Sequence, residues 1–396
     1  MPKPSKRISG LMPSGKNGWE VHIEAMTRKQ AGEDILMLSV GDHDFDTPSP
    51  TIEACVDALR SGYHHYIQLP GLPRLRDALA RLSTRCTGVE TSSEEVIVTQ
   101  GGQGGLFATC QALLDPGSHA IIISPYYATY PGTMRAAGAT VTEVPAYAED
   151  GFEPRADAIA DAIRPETRMI LINSPNNPTG AVYSRETLKA IAELCRRHDL
   201  WLVSDEVYWT FCAGREHISP RSLPGMKERT IVVNSLSKSH GMTGWRVGWL
   251  TAPAEMIEQL TALNLVSSYG LVDFVSRAAI IAAENDAGVQ EIAARYGARR
   301  QIFLEAIGDL EGVTVRGSDG GMYVMLDISQ IERDAEAFAR ALLESEKVAV
   351  MPGPSFGEAA RGHIRISMTQ EEPVLREAAG RLCRFIEAAG SREAAE

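Results

Sequence analysis

Between residues 94 and 250 short apolar runs alternate with longer amphipathic ones, and no other feature of the 396-residue chain constrains its fold as tightly. Glu95-Val96-Ile97-Val98-Thr99, Ala120-Ile121-Ile122-Ile123, Met169-Ile170-Leu171-Ile172, Leu200-Trp201-Leu202-Val203-Ser204 and Thr230-Ile231-Val232-Val233 are short and mostly β-branched or apolar, as strands buried on both faces are. Helical patterns at Leu106 to Leu114, closed by Asp115-Pro116-Gly117, and at Arg185 to His198 lie between them. That order specifies an α/β domain, with a mostly parallel sheet covered by helices on both faces. In such a sheet ligands bind beyond the carboxyl ends of the strands.

The flanks read differently. Residues 1–34 form an arm with one helical stretch, Trp19 to Gln30, and a strand follows from Ile35 to Gly41. Asp46-Thr47-Pro48-Ser49-Pro50 is a crossing between domains that leads to a helix from Thr51 to Ser61. After Ala252 come a helix from Ala254 to Asn264 and a helical tract over 272–310. Strands at Gly320 to Asp327 and His363 to Met368 then alternate with helices at Ala335 to Glu346 and Glu372 to Ala389. We therefore expect a large domain over 51–285, and a smaller α+β domain assembled from 1–50 and 286–396.

A net charge of -12 opposes binding to nucleic acid, whose phosphates need Lys and Arg clusters. No apolar run approaches the ~20 residues that cross a bilayer, so no membrane partner is expected. The basic opening Met1-Pro2-Lys3-Pro4-Ser5-Lys6-Arg7 is followed by no apolar h-region, which predicts a cytoplasmic protein. Cysteines 55, 86, 110, 195, 212 and 383 are scattered, without a C-x-x-C pair or a histidine at zinc-ligand spacing. They read as reduced thiols, and no metal site is expected.

The chemistry centres on Ser235-Leu236-Ser237-Lys238-Ser239-His240-Gly241-Met242-Thr243-Gly244-Trp245-Arg246-Val247-Gly248. A lysine at the end of a buried strand loses hydration, which favours its neutral, nucleophilic amine, the state a Schiff-base lysine requires. Arg246, with Ser235 and Ser237, supplies donors for a phosphate, and the glycines leave room for a flat ring. These residues together suggest pyridoxal phosphate held on Lys238. Thr99-Gln100-Gly101-Gly102-Gln103-Gly104-Gly105, between a strand and a helix, is an anion site by construction. It lacks the G-x-G-x-x-G spacing of a dinucleotide fold, so we assign a single phosphate to the amides of Gly102 and Gln103.

Asp205 ends a strand and Tyr208 follows by three. The carboxylate suits a protonated pyridine nitrogen and the phenol a ring oxygen, while the plain alternative for Asp205 is a helix cap. Asn173-Ser174-Pro175-Asn176-Asn177-Pro178-Thr179-Gly180 has a turn composition. Ser124-Pro125-Tyr126-Tyr127 places an aromatic where it can stack on a ring. Arg365, among Ile364 and Ile366, needs a carboxylate partner, a substrate's or an internal one, unless it lies on an edge strand's solvent face. Gly353-Pro354-Ser355-Phe356-Gly357 fits the serine-hydrolase pattern G-x-S-x-G, but no helix follows the serine as that elbow demands.

From about Trp19 to the C-terminal helix the chain resembles the fold type I, pyridoxal-phosphate-dependent aminotransferases of classes I and II. The resemblance is carried by the lysine stretch, by Ser174 to Gly180, and by Gly71-Leu72-Pro73-Arg74-Leu75-Arg76 after Tyr63-His64-His65-Tyr66. Within the family, Leu38-Ser39-Val40-Gly41-Asp42, Ser204 to Tyr208 and Ser235 to Trp249 are most similar to arginine–pyruvate transaminases. It departs at the glycines around Gln103, where relatives carry alanine or larger residues. The resemblance implies a large domain with a mostly parallel sheet of the seven-stranded type. It makes Asn177 a ligand of the cofactor's ring oxygen and Tyr127 the stacking aromatic. Arg365, assisted by the backbone of Gly41, would bind the substrate α-carboxylate, and Tyr66 would reach the phosphate of a partner subunit in a homodimer. It implies ping-pong transamination from an L-amino acid to a 2-oxo acid such as pyruvate. Asp42, Asp44 and Asp46 are compatible with a cationic donor such as arginine. The alternatives are a C–S β-lyase, an aspartate- or aromatic-type aminotransferase, and a non-catalytic binding or regulatory domain, which the presence of Lys238 disfavours.

Overall fold

A computed structural model describes residues 2, 5–11, 19–316 and 319–393; part of the N-terminal arm, residues 12–18, lies outside them. Its main sheet has seven strands, in the order Val96–Gln100, Val247–Thr251, Thr230–Ser235, Trp201–Asp205, Thr167–Asn173, His119–Ser124 and Thr140–Pro145. Six run in one direction, and Val247–Thr251 is antiparallel to both its neighbours. Successive side chains of the inner strands enter opposite cores. Ile122 and Leu171 pack with Leu106 and Ile257 on one face, while Ile121 and Ile170 pack with Leu188 and Ile191 on the other. Runs with no polar face are therefore what a sheet sandwiched by helices requires.

A second sheet of four antiparallel strands runs Met351–Pro352, His363–Ser367, Tyr323–Asp327 and Thr314–Arg316. Its core unites distant parts of the chain: Val21, Ala25 and Leu38 pack with Leu326, Leu342, Ile364 and Leu375. Leu36–Met37 pairs in parallel with Val348–Ala349. Among the described residues no helix is long and apolar enough to cross a membrane.

Several expected boundaries move, each for a physical reason. Residues Gln100 to Gly105, read as a loop ahead of a helix at Leu106, are mostly helical already, because the helix runs Gly101–Leu113. Glycine's poor helix propensity is overridden by packing: a Cβ on Gly105 would lie 2.9 Å from Leu250 Cδ2, so the small residues let this helix approach the sheet. The single helical tract over 272–310 is two helices, Asp273–Ala283 and Asp286–Ile307, and the Asn285 side chain caps the second by accepting from the Gly288 amide at 3.2 Å. The strand expected over Ile35 to Gly41 shrinks to Leu36–Met37. The antiparallel strand Val247–Thr251 and the half-exposed edge strand Thr140–Pro145 had no separate signal in the sequence.

Candidate active site

The carboxyl ends of the strands and the adjoining face of the smaller unit enclose a cavity of about 200 Å³. Gly41, Gly102, Gln103, Tyr127, Asn177, Asp205, Tyr208, Ser235, Ser237, Lys238, Arg246 and Arg365, all singled out in the sequence, line it. Tyr66 does not. Its ring is 84% exposed and lies 4.9 Å from that of Tyr269.

Lys238 sits in a one-turn helix, Leu236–Ser239, directly after the strand Thr230–Ser235. Ser235 caps that turn by accepting from the Ser237 amide at 3.0 Å, and donates its own hydroxyl proton to Ser237 Oγ at 2.8 Å or to Val247 O at 3.0 Å. The half-buried Lys238 reaches across to the small unit and donates from Nζ to the carbonyl of Gly41 at 2.5 Å. A side chain at position 41 would collide with the Tyr323 hydroxyl, so this approach depends on glycine. His43 braces the lysine turn from the same loop, with Nε2 3.0 Å from Ser237 O and Nδ1 2.8 Å from Tyr296 Oη.

One end of the cavity is built for an anion. The helix Gly101–Leu113 starts there, so the amides of Gly102 and Gln103 belong to its first turn and have no acceptor within the helix. Gly101 has φ +70°. Any side chain on it would strike the Arg246 guanidinium, which stands over the helix start and is fixed by a 2.7 Å bond from Nη1 to Thr243 O. The Gln103 side chain is turned away, bonded to Thr129 at 2.7 Å and Thr133 at 3.0 Å. Positive helix end, guanidinium and the Ser235 and Ser237 hydroxyls line the same cavity and together offer the donors that a phosphate needs.

At the centre is Asp205. It caps no helix; Oδ1 accepts from the Val207 amide at 3.2 Å, and Oδ2 from the Tyr130 hydroxyl at 2.7 Å. Burial pushes its carboxyl up to about 6, against the pull of those two bonds. No cation pairs with it among the described residues. A pyridine nitrogen carrying a proton would satisfy it.

Arg365 faces the cavity from the strand His363–Ser367. Its Nη1 donates to Asn177 Oδ1 at 2.9 Å and its Nη2 to Ser39 O at 2.5 Å, while Nε is buried with no partner. Its guanidinium lies over the rings of Tyr323 at 4.2 Å and Phe356 at 4.5 Å. Burial lowers its affinity for a proton, partly offset by the neighbouring phenols. The internal salt bridge considered as an alternative does not occur among the described residues. An incoming carboxylate would supply what is missing.

Four lining residues had no signal of their own in the sequence. Tyr130 orients Asp205. Tyr323 has its hydroxyl 3.4 Å from that of Tyr208. Burial would push the Tyr323 phenol up, but the charges of Arg365 and Lys238 bring it below the ordinary tyrosine range. Trp19, read only as the start of a helix, and Phe356, inside the G-x-S-x-G match, also reach the cavity. The serine of that match has no helix after it; two 3-10 turns, Gly353–Phe356 and Glu358–Ala360, follow each other instead.

An amine, a phosphate cradle, a buried carboxylate lacking a cation and an arginine lacking an anion are together the donor set that a flat, phosphorylated pyridine aldehyde and an amino acid require. The residues present fit pyridoxal phosphate.

Residues 33–382 match the family described as aminotransferase class I and II. The chain is 44% identical over 381 residues to arginine–pyruvate transaminase AruH of Pseudomonas aeruginosa, covering 96% of each chain. It is 40% identical to the aspartate/prephenate aminotransferase of Thermus thermophilus, over 96% of this chain and 98% of that one. Among solved structures it is similar to Thermus thermophilus aspartate aminotransferase with maleate, with a TM-score of 0.91 and 38% identity, covering 97% of this chain and 100% of the other.

Proposed function

The chain belongs to the class I and II aminotransferases and is a pyridoxal-phosphate-dependent transaminase acting on amino acids and 2-oxo acids, and we propose that it does so through the residues gathered in this cavity. The observation that carries the reading is charge without counter-charge: Lys238, Arg246, Arg365 and Asp205 line one cavity, and none is ion-paired among the described residues.

In this assignment Asp205 pairs with the cofactor's ring nitrogen, and Asn177 and Tyr208 with its ring oxygen. Tyr127 stacks on the ring. The amides of Gly102 and Gln103, the hydroxyls of Ser235 and Ser237, and Arg246 hold the phosphate, joined by Tyr66 of the partner subunit. When bound, the cofactor supplies an aldehyde that condenses with amines and an electron-poor ring that takes up the charge left when Cα–H breaks. Arg365, with Asn177 and the Gly41 backbone beside it, holds the donor's α-carboxylate. That orients Cα–H towards Lys238. Lys238 Nζ, when it is the free amine, would take the proton from Cα as general base and return it as general acid to the cofactor's aldehyde carbon, while the Gly41 carbonyl holds it in position. Asp205, kept in place by Tyr130, stabilises the charge on the ring nitrogen. The 2-oxo acid product leaves before the second 2-oxo acid enters, which makes the kinetics ping-pong.

For the donor we favour arginine, with pyruvate as acceptor. Among the described residues the cations lining the cavity are Lys238, Arg246 and Arg365, each already assigned, so a donor's distal carboxylate finds no further cation among them. Thr243 lines both this cavity and an adjoining cleft that carries Asp42 and Asp46, which suit a distal guanidinium. Asp44, by contrast, is held bidentately by Arg299 at 2.9 and 2.7 Å and is not free for a ligand. Two chains per active unit is the reading that the exposed Tyr66, its ring beside that of Tyr269, supports. We divide each chain at about 50 and 285, and the described cysteines, all free thiols, suit a reducing, cytoplasmic setting.

Arginine, aspartate and phenylalanine assayed as donors against pyruvate and 2-oxoglutarate test the assignment. Arginine with pyruvate should give the highest kcat/KM; a higher value for aspartate overturns the donor and leaves the cofactor chemistry standing. Release of pyruvate and ammonia from a β-substituted donor, with no oxo acid present, would instead mark β-elimination.

A further inference from the structure

Behind the strand that ends in Asp205, and outside the cavity, Cys86, Glu206 and His217 come together although they lie 120 and 131 residues apart from Cys86 in the chain. Cys86 is in the last turn of the helix Pro73–Thr87, Glu206 follows the strand Trp201–Asp205, and His217 precedes the short turn Pro220–Ser222. Cys86 Sγ is 3.3 Å from Glu206 Oε2 and 3.9 Å from His217 Nε2, and those two atoms are 3.0 Å apart. All the candidate ligand atoms lie within 4.8 Å of one another.

We propose that Cys86, Glu206 and His217 form a binding site for a zinc-type divalent cation. Zinc takes thiolate, imidazole and carboxylate ligands at about 2.0–2.3 Å in a tetrahedron, whose edges for one sulfur with nitrogen and oxygen ligands are then about 3.3–3.6 Å. The three separations bracket those edges, so the ion needs only small shifts of the side chains. Charge balances as well. One thiolate and one carboxylate neutralise a divalent ion, which removes the cost of burying a net charge where Glu206 is fully buried. On binding, the Cys86 sulfur loses its proton to solvent and forms a bond to the metal, while Glu206 and the imidazole nitrogen donate lone pairs. No oxidation or reduction is involved.

Two neighbours complete the site. Ser219 donates to the other oxygen of Glu206 at 2.7 Å and so fixes the carboxylate. Asn234, 1% exposed, has its amide nitrogen 3.4 Å from Cys86 Sγ and its oxygen buried without a partner. Turning that amide over brings the oxygen to the cluster as a fourth ligand. The stretch Ala213 to Glu216, just before His217, is exposed, so the cluster lies next to a surface segment of the chain. The ion would tie the helix Pro73–Thr87 to the end of the strand carrying Asp205. Spacing along the sequence could not show such a site, because its ligands meet only in the fold.

The test uses cofactor-loaded enzyme treated with zinc(II) or cobalt(II) and then gel-filtered, with metal content, cobalt d–d spectra and X-ray absorption as readouts. About one ion per chain, tetrahedral cobalt bands and one sulfur in the coordination shell are expected. Cys86→Ala and His217→Ala should each weaken retention on the order of 10²-fold or more, with cofactor loading unchanged. A wild-type protein that retains no ion, an ion without a sulfur ligand, or retention unaffected in both variants would each overturn the proposal. Should the variants fail to fold, the sulfur ligand in the wild-type shell decides.

Discussion

Arg365 separates a binding role from a structural one more sharply than any other side chain here. It is buried, bonded only to neutral oxygens, and leaves Nε unpartnered. A desolvated guanidinium of that kind gains most from a bidentate carboxylate, and breaking such a pair costs about 2–5 kcal/mol. Arg365→Lys keeps the charge but loses the fork, so KM for the donor should rise on the order of 10²-fold while the bound cofactor's absorbance stays the same. An unchanged KM would contradict the assignment. Lys238, Asp205 and Arg365 stand out in the sequence because a charged residue inside or at the end of an apolar strand needs a reason. Asn177 and Tyr127 were legible only through resemblance. Tyr130, Tyr323 and Phe356 were not legible, since an aromatic in an apolar pattern reads as core until the fold shows which side it faces.

At the scale of elements, the start of the helix Gly101–Leu113 is the most sensitive junction. Gly101 is left-handed, which costs any other residue about 1–2 kcal/mol, and a side chain there also displaces Arg246. Gly101→Ala should therefore release cofactor on gel filtration under conditions where the wild type keeps it; equal retention would refute this account of the phosphate cradle. The lysine turn and the loop opposite carry a second prediction. Burial, then the charge of Lys238, pushes the His43 imidazole down to about 4; burial, then Arg85, pushes His240 down to about 3. Both folded values lie below the ordinary 6.5, so the unfolded chain takes up protons first. The stability tied to these two neutral imidazoles is complete above about pH 6.5 and is lost as pH falls towards the folded values. By pH 5 the loss is about 2 kcal/mol for each. Melting temperature should drop between pH 7 and 5 and should do so less in a His43→Asn, His240→Asn double variant; parallel curves would contradict it. The same junction shows the limit of sequence reading for elements. Helices Trp19–Gln30 and Ala335–Glu346 begin and end where their apolar spacing predicts. Glycines that let a helix approach a sheet look, in sequence, like glycines that make a loop.

For the whole molecule, the order of strands and helices between 94 and 250 was enough to predict a sheet covered on both faces. The second sheet draws its core from both ends of the chain, as the α+β pattern of the two flanks predicts, but which residues meet there, such as Leu36–Met37 against Val348–Ala349, no local pattern encodes. Assembly is less visible still. If Tyr66 completes a neighbour's phosphate cradle, sedimentation should report a species of two chains, and cofactor retention should fall when dilution drives it apart. A monomer that keeps its cofactor would refute the shared site. The central claim concerns a single amine. Borohydride reduction of the cofactor-loaded enzyme, followed by proteolysis and mass spectrometry, should leave a pyridoxyl group on the peptide containing Lys238. A label on another lysine, or a Lys238 peptide left unmodified, would contradict it.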